Sequence, residues 1–192
     1  MNYAFCFFIT NNTIMRHLLL LLLTITIAAN AAQAQFVEKS TSVLCLVPSA
    51  TAAVNTIARH DRKGLLQLAL SSATCIAINY GLEAAITKER PDGTGKHAFP
   101  STHTAAAFNG ATFLTIRYGW KWGVPAYALA TYVGWGRINS DRHDFWDVLG
   151  GAALGAGTAL IFTRPFKTQN AEISISPTFG SGKYGISASM RF

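Results

Sequence analysis

The sequence predicts an all-α fold, a bundle of about five core helices carrying a C-terminal β-hairpin tail. Three observations carry that reading. Half of the 192 residues are hydrophobic and only 13% are charged, against about 25% charged in ordinary soluble domains. Apolar stretches of helical length alternate with short polar loops between residues 43 and 162. Alternation with period two appears only after Glu172. The length suits one domain with a single core, preceded by a leader.

The leader is residues 1–34. Met15-Arg16-His17 precedes an apolar run from Leu18 to Ala29, and Ala32-Gln33-Ala34 has the form of a cleavage site, so a mature chain would begin at Gln35. An uncleaved membrane anchor is the alternative. Residues 36–42 are polar and read as a linker into a helical domain spanning 35–168. Val43–Ala58 contains Pro48 and predicts a short or kinked helix. After the charged turn at 59–64, Leu65–Thr87 predicts a helix of about six turns with Glu83 as its one charge. Ser101 follows Pro100 and is placed to cap a helix running to Arg117. Lys121–Asn139 and His143–Phe162 give two more, the last rich in Gly and Ala, which permits close helix approach. In the tail, 169–192, apolar residues alternate on both sides of Gly180-Ser181-Gly182, predicting a hairpin.

Charge and cysteine usage narrow the partners. The net charge of +7 comes from basic residues scattered singly through loops, which argues against a nucleic-acid partner. Cys6 lies in the leader, while Cys45 and Cys75 lie within apolar segments and are expected as buried free thiols. No Cys or His spacing resembles a metal site. The apolar segments are near the lower limit for crossing a bilayer, about 17–25 residues. A membrane location is expected. In an up-and-down bundle the turns at 59–64, 117–121 and 164–167 share one end. They hold Arg59, Arg62, Lys63, Arg117, Lys121, Arg164 and Lys167. A cytoplasmic position for that end turns the other end outward.

That other end collects the chemistry. Lys88-Glu89-Arg90-Pro91, Phe99-Pro100-Ser101-Thr102-His103, and Gly136-Arg137 followed by His143 and Asp147 all border apolar segments. Arginine pairs its donors with phosphate oxygens. Asp147 lies one helical turn beyond His143 and could accept its far ring N–H, fixing the tautomer. His103 could serve as acid and base. Ser101 and the Thr102 amide open a helix, where free N–H groups favour anions. Lys88 could add a further positive charge.

These blocks resemble the signature of the type 2 phosphatidic acid phosphatase superfamily, which also includes bacterial acid phosphatases and vanadium haloperoxidases. Its pattern is K-x6-R-P, P-S-G-H and S-R-x5-H-x3-D. Here Arg90-Pro91, Pro100-Ser101-Thr102-His103, and Arg137, His143 and Asp147 match in order, over roughly residues 60–165. The resemblance implies a helical phosphatase. His143 would be the nucleophile and form a phosphohistidine, with Asp147 its orienting partner and His103 the proton carrier. Arg90, Arg137, Ser101, Thr102 and Lys88 would hold phosphate, with no metal and no cofactor. The expected substrate is a phosphomonoester or diphosphate, lipid-linked and met at the outer face of the inner membrane, or in the periplasm. Three departures stand out: Glu83 where the pattern has Lys, Thr102 for Gly, and Gly136 for Ser. Glu83 could repel phosphate or could pair with Arg90 or Lys88. A non-catalytic phosphate-binding or structural membrane module is the main alternative, and a vanadate-dependent haloperoxidase a lesser one.

Overall fold

The computed structural model describes residues 3–166, 172–180 and 183–191. Among the described residues there are six helices: α1 (Tyr3–Leu44), α2 (Val47–Ala58), α3 (Arg62–Ala85), α4 (Thr102–Tyr118), α5 (Trp120–Asn139) and α6 (Phe145–Phe162). Strands β1 (Glu172–Gly180) and β2 (Lys183–Arg191) pair antiparallel, with Glu172 opposite Arg191.

Helix α4 is the axis of the bundle, with α2, α3, α5 and α6 packed around it. Its inward positions are mostly small, including Ala105, Ala107 and Ala111, with Phe113 and Leu114 filling the far half of the core, Leu114 near Ala126 of α5. Small side chains let α6 approach closely. A Cβ on Gly151 or Gly155 would overlap the backbone of Ser101 or Ala105, so the α4–α6 spacing depends on glycine at both positions. This contact sets the height of the start of α4 against the start of α6.

Local chemistry fixes the helix ends. Pro48 sits in the first turn of α2, where its missing N–H costs no helical bond. Asp61 caps α3 by accepting from the Gly64 amide at 2.9 Å. Ser101 holds the cap position of α4, but its hydroxyl is 3.0 Å from Thr104 Oγ1 and makes no side-chain cap. Helix α6 opens with a reciprocal cap. The Asp144 carboxylate accepts from the Asp147 amide at 3.0 Å, and the Asp147 carboxylate from the Asp144 amide at 3.1 Å.

Residues 36–42 are not a linker. They are the last turns of α1, which runs unbroken through the sequence of the expected cleavage site. Val37 and Thr41, four residues apart, share a face that is buried against α5 at Gly136. Ser40, Thr41 and Ser42 donate to carbonyls one turn back in the same helix, and Glu38 takes two bonds from Arg142, at 2.9 and 2.7 Å. Gly136 is also explained, because a Cβ there would overlap Thr41. Cys45 and Cys75 are buried free thiols, as expected.

Among the described residues three stretches are long and apolar enough to cross a membrane: Ala32–Ala58, Arg62–Ala85 and Phe145–Phe162. Only a minority of their residues is buried. Leu65, Leu66, Leu70, Ile76, Leu160 and Ile161 all face outward. Apolar side chains directed away from the core suit a lipid surround, and the chain is a membrane-spanning helical protein. Its turns divide as the topology required. The α2–α3 turn, the α4–α5 turn and residues 163–166 meet at one end, where Arg117 bonds Asp61 and the Arg164 carbonyl. The 86–101 and 140–144 loops meet at the other, where the Asp92 amide bonds the Asp141 carbonyl.

Candidate active site

The second end gathers the three sequence blocks. Arg90 and Lys88 come from the α3–α4 loop, Ser101–His103 from the start of α4, Arg137 from the end of α5, and His143 and Asp147 from the turn into α6. The backbone joins them directly. The Ser101 amide donates to the Asp147 carbonyl at 2.9 Å, and the His143 and Arg142 amides donate to the Arg137 carbonyl.

His143 is 4% exposed on its side chain. Its Nδ1 is 2.8 Å from the Ala98 carbonyl oxygen, with Asp147 Oδ2 at 3.7 Å. A carbonyl can only accept, so Nδ1 carries the hydrogen and Nε2 keeps its lone pair for chemistry. Burial pushes the imidazole down to about 4, helped by Arg137 and Arg90 and opposed by the Ala98 bond and Asp147. The ring is therefore neutral at physiological pH, the form a nucleophile needs.

Asp147 is fully buried. Beyond its cap bond it takes Lys88 Nζ on Oδ1 at 2.6 Å, and the same ammonium lies 2.5 Å from Asp144 Oδ2. Lys88, expected among the phosphate ligands, thus has its charge set between two carboxylates. Burial alone would push Lys88 down, but its bonds to Asp144 and Asp147 outweigh this and hold it above the ordinary lysine value.

The arginines are different. Arg137 is buried and donates from Nη1 to Ser42 at 3.1 Å, while its Nε has no partner. Arg90 Nε is likewise buried and unpartnered. Only four buried side-chain polar atoms among the described residues lack a partner, and two belong to these guanidinium groups. A buried N–H left open costs about 1–3 kcal/mol, so the pair is poised for an acceptor that a bound anion would supply. His103 feels the charges of Arg137 and Arg90 together, which places it in the same field. Arg142, by contrast, is spent on Glu38, Asp92 and Thr94.

Several partners had no sequence signal. Ala98 acts through its backbone. Ser42 lies 95 residues from Arg137 in the chain. Asn79, fully buried on α3, donates to Thr102 Oγ1 at 2.8 Å, which gives the threonine standing in place of glycine a fixed rotamer. The Asp144-x-x-Asp147 cap was readable as an acidic pair three residues apart at a helix start. Glu83 lies beside an open groove of about 370 Å³ lined by Tyr80, Ala84 and His97. Arg90 and His97 are the cations whose field reaches its carboxylate.

The family model for the PAP2 superfamily matches residues 3–171. The chain belongs to the PAP2 superfamily. This PAP2 protein is 30% identical over 173 residues to a lipid A 4'-phosphatase of Helicobacter pylori (strain J99), covering 83% of the chain and 87% of that protein. A lipid A 1-phosphatase of Porphyromonas gingivalis is 45% identical over 69 residues, which are 34% of this PAP2 chain and 16% of that protein's length. The crystal structure of Aquifex aeolicus LpxE shares the fold, with a TM-score of 0.54 at 21% identity over 66% of this chain and 84% of that one.

Proposed function

We propose that this PAP2 protein is a lipid phosphatase that removes a phosphate monoester from an acylated, phosphorylated saccharide of the lipid A type, through a phosphohistidine on His143. The observation that carries the reading is the pair of buried, unpartnered guanidinium N–H groups of Arg90 and Arg137 beside two histidines. The full-length similarity to a lipid A 4'-phosphatase supports the substrate class.

In the first step His143 Nε2 attacks phosphorus in line. The bond from phosphorus to the leaving oxygen breaks, its electrons stay on that oxygen, and protonated His103 supplies a proton. Burial, with the charges of Arg137 and Arg90, disfavours the protonated form of His103; a phosphate dianion beside it would favour that form. Positive charge then on the His143 ring is stabilised by Asp147 at 3.7 Å and by the Nδ1–H bond to Ala98. In the second step water gives its proton to His103 and attacks phosphorus, and the P–N bond breaks to return neutral His143. Arg90 and Arg137 hold the non-bridging oxygens throughout. The backbone amides at the start of α4, behind Ser101 and Thr102, add donors. The chemistry is proposed to run without a metal, because the carboxylate pair a cation could use already holds the Lys88 ammonium.

The site end is proposed to face the periplasm, since Arg59, Arg62, Lys63, Lys121 and Arg164 surround the opposite end. Residues 1–34 are proposed to be removed as an export leader, leaving 35–168 as the phosphatase domain.

The test is release of inorganic phosphate from lipid A by the purified protein in detergent, with chelator present. Phosphate release with loss of one phosphate by mass spectrometry is expected. No release from lipid A, with release from phosphatidic acid or a soluble ester, would remove the substrate assignment; no release from any ester would remove the enzyme.

A further inference from the structure

Lys88 is joined to the His143 turn twice. Its ammonium bridges Asp144 and Asp147 at 2.5 and 2.6 Å. Its own carbonyl accepts the Ala98 amide at 3.1 Å, and residue 98 is the one whose carbonyl takes the His143 Nδ1–H. Asp147 has its two oxygens committed to Lys88 and to the Asp144 amide, so its influence on the ring at 3.7 Å is through charge. We propose that Lys88 is a positioning residue for the nucleophile: it neutralises the Asp144/Asp147 pair beside the His143 ring and ties that turn to the loop carrying Ala98, the acceptor that fixes the ring's tautomer. This deepens the phosphatase reading and rests on it for the meaning of "nucleophile", though not for the contacts.

Without Lys88, an uncompensated Asp147 carboxylate faces the imidazole and favours imidazolium. The other charges facing His143 act from fixed places: Arg137 from α5, Arg90 from the α3–α4 loop and His103 from α4. Glu38 of α1 acts on Arg137 and His103. None of these is bonded to Lys88, so removing Lys88 changes the field on His143 chiefly through Asp147. A phosphate ligand would differ in one respect: its loss would weaken anion binding as well as change the field on the ring.

The experiment titrates the His143 resonance by NMR in histidine-labelled full-length protein, assigned with His143→Ala, and measures inhibition by inorganic phosphate. The NMR midpoint does not need turnover, so that arm survives failure of the substrate assignment. In Lys88→Met the His143 midpoint should rise by about one unit, with phosphate inhibition changed by less than about threefold and turnover falling about tenfold or more at neutral pH. Lys88→Arg should return both close to wild type. Lys88→Met combined with Asp144→Asn restores the net charge of the cluster and should bring the midpoint back, and this pair carries the test if Lys88→Met alone does not fold. An unmoved midpoint in Lys88→Met would overturn the proposal. So would weaker phosphate inhibition, by tenfold or more, in either Met-containing variant, because Lys88 would then be a phosphate ligand.

Discussion

The bundle has two polar ends, and each contains a buried arginine. Arg117 is 7% exposed and Arg137 is 5% exposed, so burial does not distinguish them; their partners do. Arg117 makes a two-pronged bond to Asp61, at 2.7 and 2.5 Å, and donates to the Arg164 carbonyl at 2.7 Å. Tyr118 closes the cluster with a 3.0 Å bond to Asp61. Burial would raise the Asp61 carboxyl, but the Arg117 bonds, the Gly64 amide and Tyr118 hold it below its ordinary value. Arg137 has one bond to a serine and an open Nε. The saturated arginine is a clasp between turns; the unsaturated one is proposed to take a phosphate. Exposure does not tell the two apart, and hydrogen-bond completeness does.

The comparison breaks most visibly at the proposed nucleophile. His143→Ala should lower turnover by a factor on the order of 10⁴–10⁶, and an acid-labile phosphoenzyme should be trapped in wild type but not in the variant. Retained phosphoenzyme would move the nucleophile elsewhere.

The two arginines should then separate. Arg137→Lys keeps charge but loses the fork, and should cost about 10²–10³ in kcat/KM while leaving thermal stability in detergent nearly unchanged. Arg117→Met should do the reverse. It strands Asp61 and should cost about 3–5 kcal/mol of stability, with the initial rate per folded molecule preserved. A rate loss in Arg117→Met at normal stability would show that the clasp end also serves the chemistry.

Smaller effects sharpen the picture. Gly136→Ala puts a methyl against Thr41 and should cost about 1–3 kcal/mol. Thr41→Ala in the same chain should recover part of that if the overlap is the cause. The pH dependence of stability gives the smallest signal. His143 has its folded value near 4 against an ordinary 6.5, so an unfolded chain binds its proton first as pH falls. Its contribution to stability is whole above about 6.5 and is lost as pH drops toward 4. Thermal midpoints of wild type should therefore fall more steeply across that window than those of His143→Asn; parallel curves would mean the ring is not held neutral.

The sequence by itself determined a great deal here. Apolar segments separated by polar loops fixed the number and order of helices α2–α6, since segment length and hydropathy are local properties. The order of Arg90, His103, Arg137, His143 and Asp147 along those segments placed all five at one end, because helix parity alone assigns loops to ends. Tertiary structure decided how these residues are employed. The polar stretch 36–42 became helix because Arg142, Gly136 and α5 complete it. Lys88 was drawn to Asp144 and Asp147, although its charge and its place two residues before Arg90 equally suited a phosphate. The orienting acceptor for His143 is a backbone carbonyl, and a carbonyl has no residue type to be read. A hydrogen bond is settled by distances of a few tenths of an ångström between segments far apart in the chain, and only packing fixes those distances.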